Sequence, residues 1–170
     1  MPRIFMSYRR SDSISESGRI HDHLEREFGG DNVFKDVDDI EPGHDFRKVL
    51  DEEVAKCDVL LAIIGPDWVR AADNSGNRRL NDPNDFVRIE IESGLKRDDG
   101  VLVVPVLIKN APMPVASELP ESLHDLVYRN AVIIRNDPDF SRDMPRLIDY
   151  IHRYSSRKKP AQTTTDSRNR

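Results

Sequence analysis

A single cysteine, Cys57, is all that 170 residues contain, so no intrachain disulfide can form and no Cys/His set has zinc-ligand spacing. Such sparing use of thiols suits a reducing cytosol, and a cytoplasmic protein is the expectation. Cys57 itself reads as a small, buried or half-buried residue. Long apolar runs are also lacking. The longest, residues 59–64, is far short of the roughly 20 residues that cross a bilayer. The start, Met1-Pro2-Arg3-Ile4-Phe5, has none of the layout of a signal peptide. Basic charge is outnumbered: 26 Lys and Arg face 31 Asp and Glu, for a net charge of −5. That balance argues against broad binding of a nucleic-acid backbone, which needs a basic footprint. Neither a Gly-rich dinucleotide fingerprint nor a P-loop occurs, so a Rossmann dehydrogenase and an NTPase are unsupported. No serine nucleophile elbow is present either.

What is present alternates. Short β-branched runs at residues 3–7, 33–35, 59–64, 101–107 and 131–134 read as strands. Between them lie stretches with helical spacing. Residues 13–28 place Ile20, Leu24 and Phe28 on one face and stop at Gly29-Gly30. Asp45 is a suitable N-cap for a helix carrying Phe46, Val49, Leu50 and Val54. A long polar stretch, 65–84, precedes a helix expected from about 85 to 96, and a short helix is expected at 119–127. The last helix aligns Met144, Leu147, Ile148 and Ile151. From residue 155 apolar periodicity ends, which predicts one domain over 1–154 and a disordered polar tail over 155–170. Five strands alternating with five helical segments predict an α/β, flavodoxin-like domain: a five-stranded parallel sheet of order 2-1-3-4-5 with helices on both faces. Residues 59–64, apolar throughout, suit a central strand covered on both sides.

Ligands on such sheets sit beyond the carboxyl ends of the strands, near the switch between the first and third. Three segments converge there. The first is Ser7-Tyr8-Arg9-Arg10-Ser11-Asp12. Its arginines suit phosphate or ribose oxygens, or alternatively pair with acidic neighbours. A phosphoacceptor receiver domain would instead want paired acids at this position. The second, residues 36–45, packs four Asp and one Glu into ten positions around a Pro42-Gly43 turn. It lacks EF-hand spacing, so it reads as an acidic capping loop or a partner-binding face rather than a metal site. The third is Asp85-Phe86-Val87-Arg88-Ile89-Glu90-Ile91-Glu92. Phe86 and Glu90, four apart, share a helix face and place a carboxylate beside an aromatic ring. Arg88 and Glu92 form an ordinary i, i+4 pair, and Glu90 could equally join a salt-bridge network. Trp68 is either a ligand-stacking residue or a loop residue packed on the core. His21 and His23, two apart, fall on different helix faces and make a poor metal pair.

Taken together and in order, these motifs resemble the signature boxes of the TIR (Toll/interleukin-receptor) family. The boxes are Ile4–Asp12, then Val33-Phe34-Lys35-Asp36 leading to the Pro42-Gly43 of the family's BB loop, then Cys57–Trp68 with the third strand. The Phe86-x-x-x-Glu90 element and Val103-Val104-Pro105-Val106-Leu107 complete the resemblance over roughly residues 3–154. In pattern it resembles bacterial-type members that cleave NAD, although those often carry Trp where this chain has Phe86.

The resemblance implies an NAD glycohydrolase or cyclase that needs no cofactor beyond its substrate. It assigns the catalytic glutamate to Glu90 and a substrate-packing role to Phe86. Ser7, Tyr8, Arg9, Arg10 and Trp68 would line the substrate site, and Asp36 would belong to a lid. Homotypic assembly with other TIR domains is implied through a loop containing Asp38, Asp39, Ile40, Pro42 and Gly43, as in signalling and defence proteins. A non-enzymatic TIR–TIR interaction module is the alternative, and a deoxyribosyltransferase-like enzyme of similar fold is a third.

Overall fold

A computed structural model describes residues 1–35, 40–97 and 99–158. Its strands are β1 (Ile4–Ser7), β2 (Val33–Lys35), β3 (Val59–Ile64), β4 (Leu102–Leu107) and β5 (Val132–Ile133). Its α-helices are α1 (Arg10–Phe28), α2 (Phe46–Ala55), α3 (Phe86–Leu95) and α4 (Phe140–Lys158). The expected short helix before β5 is a 3-10 helix over Glu121–Tyr128. The sheet order is β2-β1-β3-β4-β5, and every pairing is parallel. This is the flavodoxin-like arrangement that the alternation predicts.

The period-2 geometry of β3 explains why its sequence is apolar throughout. Val59, Leu61 and Ile63 enter one core with Ile20, Leu24 and Phe28 of α1 and Met144, Leu147 and Ile151 of α4. Leu60, Ala62 and Ile64 enter the other, with Val54 of α2, Val87, Ile91 and Leu95 of α3, and Leu123 and Leu126. β3 pairs with β1 on one side and β4 on the other. It is therefore the rigid axis from which the surrounding loops are hung.

α3 lies close against this axis because residue 94 is glycine. A Cβ there would stand 2.9 Å from Val103 Cγ2 and 3.2 Å from Leu60 Cδ1. α1 begins one turn before the expected Ser13, and the helix breaks at that residue, whose φ and ψ are −149° and 27°. The extra turn serves Asp12. Its buried carboxylate accepts the backbone N–H of Gly65 at 2.8 Å and that of Asp67 at 2.8 Å. The segment leaving β1 is thereby tied to the segment leaving β3.

α4 runs to Lys158, past the boundary expected at 155, so residues 155–158 are helical. Tyr154 packs against the core, and Lys158 donates to the Gly100 carbonyl at 2.6 Å and to Asp58 at 3.3 Å. A helix held by such polar tethers has no apolar period to announce it. The remainder of the expected tail, 159–170, lies outside the described residues. Cys57 is buried, and burial pushes its thiol up to about 12, which keeps it protonated and unreactive at neutral pH.

Two outcomes follow from these contacts. Gly65→Ala would place a methyl carbon 2.4 Å from Asp12 Oδ2. The buried carboxylate would have to give up its backbone donors, at a cost of about 1–3 kcal/mol. Urea unfolding of the variant should show that loss, and an unchanged midpoint would refute the tie. The second outcome concerns acid. Hydrogen bonds from the Arg135 side chain, and then from its backbone N–H, lower the Asp143 carboxyl to about 2. A depressed native pKa contributes stability above the unfolded value near ~4 and loses it as pH falls toward ~2. Wild type should therefore exceed Asp143→Asn in stability at pH 6, with the gap closing between about pH 4 and 2. A gap independent of pH would contradict this assignment.

Candidate functional site

A cavity of about 580 Å³ opens beyond the carboxyl end of β1, within the ~300–1,000 Å³ usual for small-ligand sites. One wall is the segment leaving β1: Tyr8, Arg9, Arg10 and Ser11. The opposite wall runs from Asp73 and Arg79 through Asp82, Asn84 and Asp85 to Phe86, Val87 and Glu90 at the start of α3. Of the residues singled out from sequence, the fold brings Tyr8, Arg9, Arg10, Phe86 and Glu90 to this one space.

The position of Glu90 follows from how α3 is seated. Val87, Ile91 and Leu95 turn one face of the helix into the core. Glu90 lies beside that face, one turn after Phe86, and is only 8% exposed while still lining the cavity. A carboxylate so placed meets a ligand with less competing water than at the open surface, which strengthens its electrostatic interaction. Phe86 is half exposed and stacks on Phe46 of α2, with centroids 5.1 Å apart and planes at 26°. The first turn of α2 thus braces the aromatic wall. Arg88 and Glu92 make the expected i, i+4 pair, at 2.6 Å.

Arg9 is the largest departure from a simple ligand-binding picture. Its Nη1 and Nη2 donate to both oxygens of Asp85, at 2.9 and 2.8 Å. The two side chains are only 5% and 7% exposed. Asp85 is also the N-cap of α3, accepting the backbone N–H of Arg88 at 3.1 Å. Arg9 therefore fixes the first turn of α3, and with it Glu90. Its guanidinium edge is engaged by a carboxylate, the acid-paired alternative that the sequence left open, while Arg9 still lines the cavity.

Two other expectations are revised by burial. Trp68 is fully buried among Phe5, Leu80 and Val87 in the α2–α3 core and does not line the cavity, so it packs the loop rather than stacking on a ligand. Its ring is held by apolar packing alone, since its buried Nε1 has no hydrogen-bond partner among the described residues. Ser7 is fully buried beneath Tyr8, and among the described residues its Oγ has no hydrogen-bond partner. It belongs to the floor below the site and not to its surface.

In the acidic loop, the Pro42-Gly43 turn forms as expected. His44 N–H donates to the Glu41 carbonyl at 3.2 Å, and Gly43 sits at φ +86°, the positive value a type II turn requires of its third residue. Ile40 is half-buried, whereas Pro42 and Gly43 are exposed. Asp36, Asp38 and Asp39 lie outside the described residues. On α1, His23 packs edge-on against Phe140 while His21 lies near Asp22 and Glu25. The two histidines serve different faces.

Asp85, Phe46, Arg79 and Asp12 all contribute, and sequence reading did not single them out for the site. Asp85 carried one local signal, its cap position, but its partner is 76 residues away. Removing its charge should cost stability because Arg9 would remain buried without a counter-charge. Asp85→Asn keeps a capping side chain and should still lose about 3 kcal/mol, against ~1 kcal/mol for a lost cap alone. Adding Arg9→Met should recover part of that loss in a double-mutant cycle. Additive effects of the two substitutions would refute the coupling.

The comparisons with known proteins concern the fold and the family. The TIR domains of the activated Roq1 resistosome, which directly recognises the pathogen effector XopQ, share the fold with a TM-score of 0.64. They are 14% identical in sequence, over 89% of this chain and 99% of that one. A search of curated proteins finds no match. The sequence pattern of the TIR domain matches residues 4–148, nearly the whole of the sheet and its helices. The chain belongs to the TIR domain family.

Proposed function

We propose that this TIR domain cleaves the bond between nicotinamide and ribose in NAD, with Glu90 as its catalytic carboxylate. The observation that carries the reading is the shared cavity: Glu90 lines it together with Phe86, Tyr8 and Arg10. The family also contains members that only assemble, so membership alone does not decide between enzyme and module.

The chemistry asks little of the protein beyond charge and fit. Nicotinamide is attached to ribose as a pyridinium cation. When the C–N bond breaks, its electron pair returns to the ring nitrogen and the base leaves neutral. No general acid is required. Positive charge develops on the ribose, as in an oxocarbenium-like transition state. A fixed carboxylate at that point stabilises the charge and accepts hydrogen bonds from ribose hydroxyls. Water then adds at the sugar carbon and releases a proton to solvent, giving ADP-ribose. Attack by the adenine gives a cyclic isomer instead.

In this reading Phe86, braced by Phe46, packs against the nicotinamide riboside. Tyr8 and Arg10 contact the sugar. Arg9, held by Asp85, acts by fixing α3, and Ser7 supports the floor. Asp36 and its loop close over the site. The loop containing Asp38, Asp39, Ile40, Pro42 and Gly43 docks on a neighbouring TIR domain, so that assembly activates the enzyme. The fold likeness to TIR domains of a resistosome supports the assembly part of the proposal. The acidic net charge disfavours nucleic acid as a partner. Among the described residues no helix is long and apolar enough to cross a membrane.

Nicotinamide release from NAD, followed with purified protein under crowding or fused to an oligomerising scaffold, tests this reading. Glu90→Gln should lower turnover by about 10²–10³-fold, the usual effect of removing one transition-state-stabilising group. Turnover that survives the substitution excludes the mechanism. A wild-type assembly with no turnover identifies an interaction module, and free-base release from deoxynucleosides identifies a deoxyribosyltransferase-like activity.

A further inference from the structure

We infer that Arg79 is a diphosphate-binding residue of this cavity, so that the site is built for a nicotinamide dinucleotide and not for the bare riboside. The inference deepens the proposed NAD-cleaving function and rests on it for the identity of the ligand. It begins with a hairpin in the long polar stretch between β3 and α3. Ala72 and Arg78 form an antiparallel bridge, Arg79 N–H donates to the Ala71 carbonyl at 2.8 Å, and Asp73 N–H donates to that of Asn77 at 2.8 Å. The tip turns at Gly76, whose φ is +81°. Asp73 Oδ1 closes the turn by accepting the N–H groups of Ser75 and Asn77, at 2.9 and 3.0 Å.

The chain beyond the hairpin is equally fixed. Arg79–Asn81 forms a 3-10 turn, Leu80 is fully buried, and the Leu80 carbonyl accepts Arg88 Nη1 of α3 at 3.1 Å. The backbone at residue 79 is thus anchored on both sides and joined to the helix that carries Glu90. Its side chain is exposed and lines the cavity. Nε makes one long hydrogen bond, to the Ala72 carbonyl at 3.4 Å. Among the described residues its terminal nitrogens have no partner. Asp73 and Asp82 line the same wall, but no carboxylate of the described residues lies within ion-pair distance of Arg79. Asp73 Oδ1 is committed to its turn, and Asp82 Oδ1 accepts Asn84 N–H at 2.9 Å.

Arg9 and Arg79 therefore divide the work that two neighbouring arginines might have shared. Arg9 has its guanidinium edge filled by Asp85. Arg79 presents a planar guanidinium that no carboxylate of the described residues pairs with, and its parallel N–H donors suit bidentate contact with phosphate oxygens. The wall between Arg79 and Glu90 is continuous along the chain, through Asp82, Asn84 and Asp85. A ligand whose ribose meets Glu90 can extend its phosphates along this wall to Arg79. A nucleoside without phosphates leaves Arg79 unused.

The test is binding measured by calorimetry, on wild type and Arg79→Ala, with ADP-ribose and with nicotinamide riboside. Arg79 is exposed, so the variant should keep the wild-type melting temperature. The expected result is at least a tenfold loss of ADP-ribose affinity with nicotinamide riboside unchanged within twofold, and partial recovery in Arg79→Lys. If both ligands weaken alike, if neither changes, or if wild type fails to bind ADP-ribose, the inference is overturned. The two proposals fail separately. Arg79-dependent binding of ADP-ribose without NAD turnover rejects the cleavage reaction alone, whereas turnover with Arg79-independent binding rejects only the role of Arg79.

Discussion

A buried arginine–aspartate pair joins the exit of β1 to the first turn of α3, and the geometry of the cavity depends on it. Arg9 and Asp85 meet through two hydrogen bonds of 2.9 and 2.8 Å, in a place that water barely reaches. Desolvating two charges is costly, and their attraction offsets that cost only where the geometry is good. Both Nη atoms of Arg9 are engaged, whereas its buried Nε has no partner among the described residues. Here the carboxylate also caps α3. The same oxygens therefore set where the helix begins and how it is rotated. Rotation decides whether Glu90 faces the cavity or the solvent, since a helix turns 100° per residue.

A second tie supports the first. Asp12 holds the backbone at Gly65 and Asp67, so the loops leaving β1 and β3 cannot drift apart. Gly65 is required for that contact because a side chain would occupy the space of the Asp12 carboxylate. Gly94 plays the corresponding part at the far end of α3, letting the helix approach β3 and β4. Between them, the two glycines and two aspartates hold the walls of the site against a core of close-packed apolar side chains. Little of this rigidity comes from the loops themselves.

The resemblance to TIR domains of a resistosome, at 14% identity, carries the fold and not the chemistry. Chemistry has to be argued from the cavity. Its lining is more polar than that of a typical drug-sized pocket, with arginines on both walls and carboxylates between them. Such a surface suits a charged, hydroxyl-rich ligand better than an apolar one. The stacked pair of Phe46 and Phe86 adds one aromatic patch beside Glu90. A cationic ring attached to a sugar is the kind of ligand that would use both features.

The sequence by itself determined the sheet. Unbroken apolarity at 59–64 requires burial on both faces, and that requirement, with alternating helices, leaves few topologies besides the one found. It also determined that Phe86 and Glu90 share a helix face, because a four-residue spacing is local geometry. The ordered motifs identified the family for the same reason: each is a contiguous string. Only the tertiary structure decided what each candidate does. Arg9 lines the cavity but is committed to a partner 76 residues away, and Trp68 disappears into the core. It also decided which residues join, since Phe46 reaches Phe86 from α2 and the hairpin before α3 turns Arg79 to the cavity. The helical residues 155–158 belong with these, being held by a lysine reaching across to the loop before β4. Periodicity reports burial along one element. Partners and cavities arise between elements, where long-range charge pairing and packing choose among arrangements that are locally equivalent.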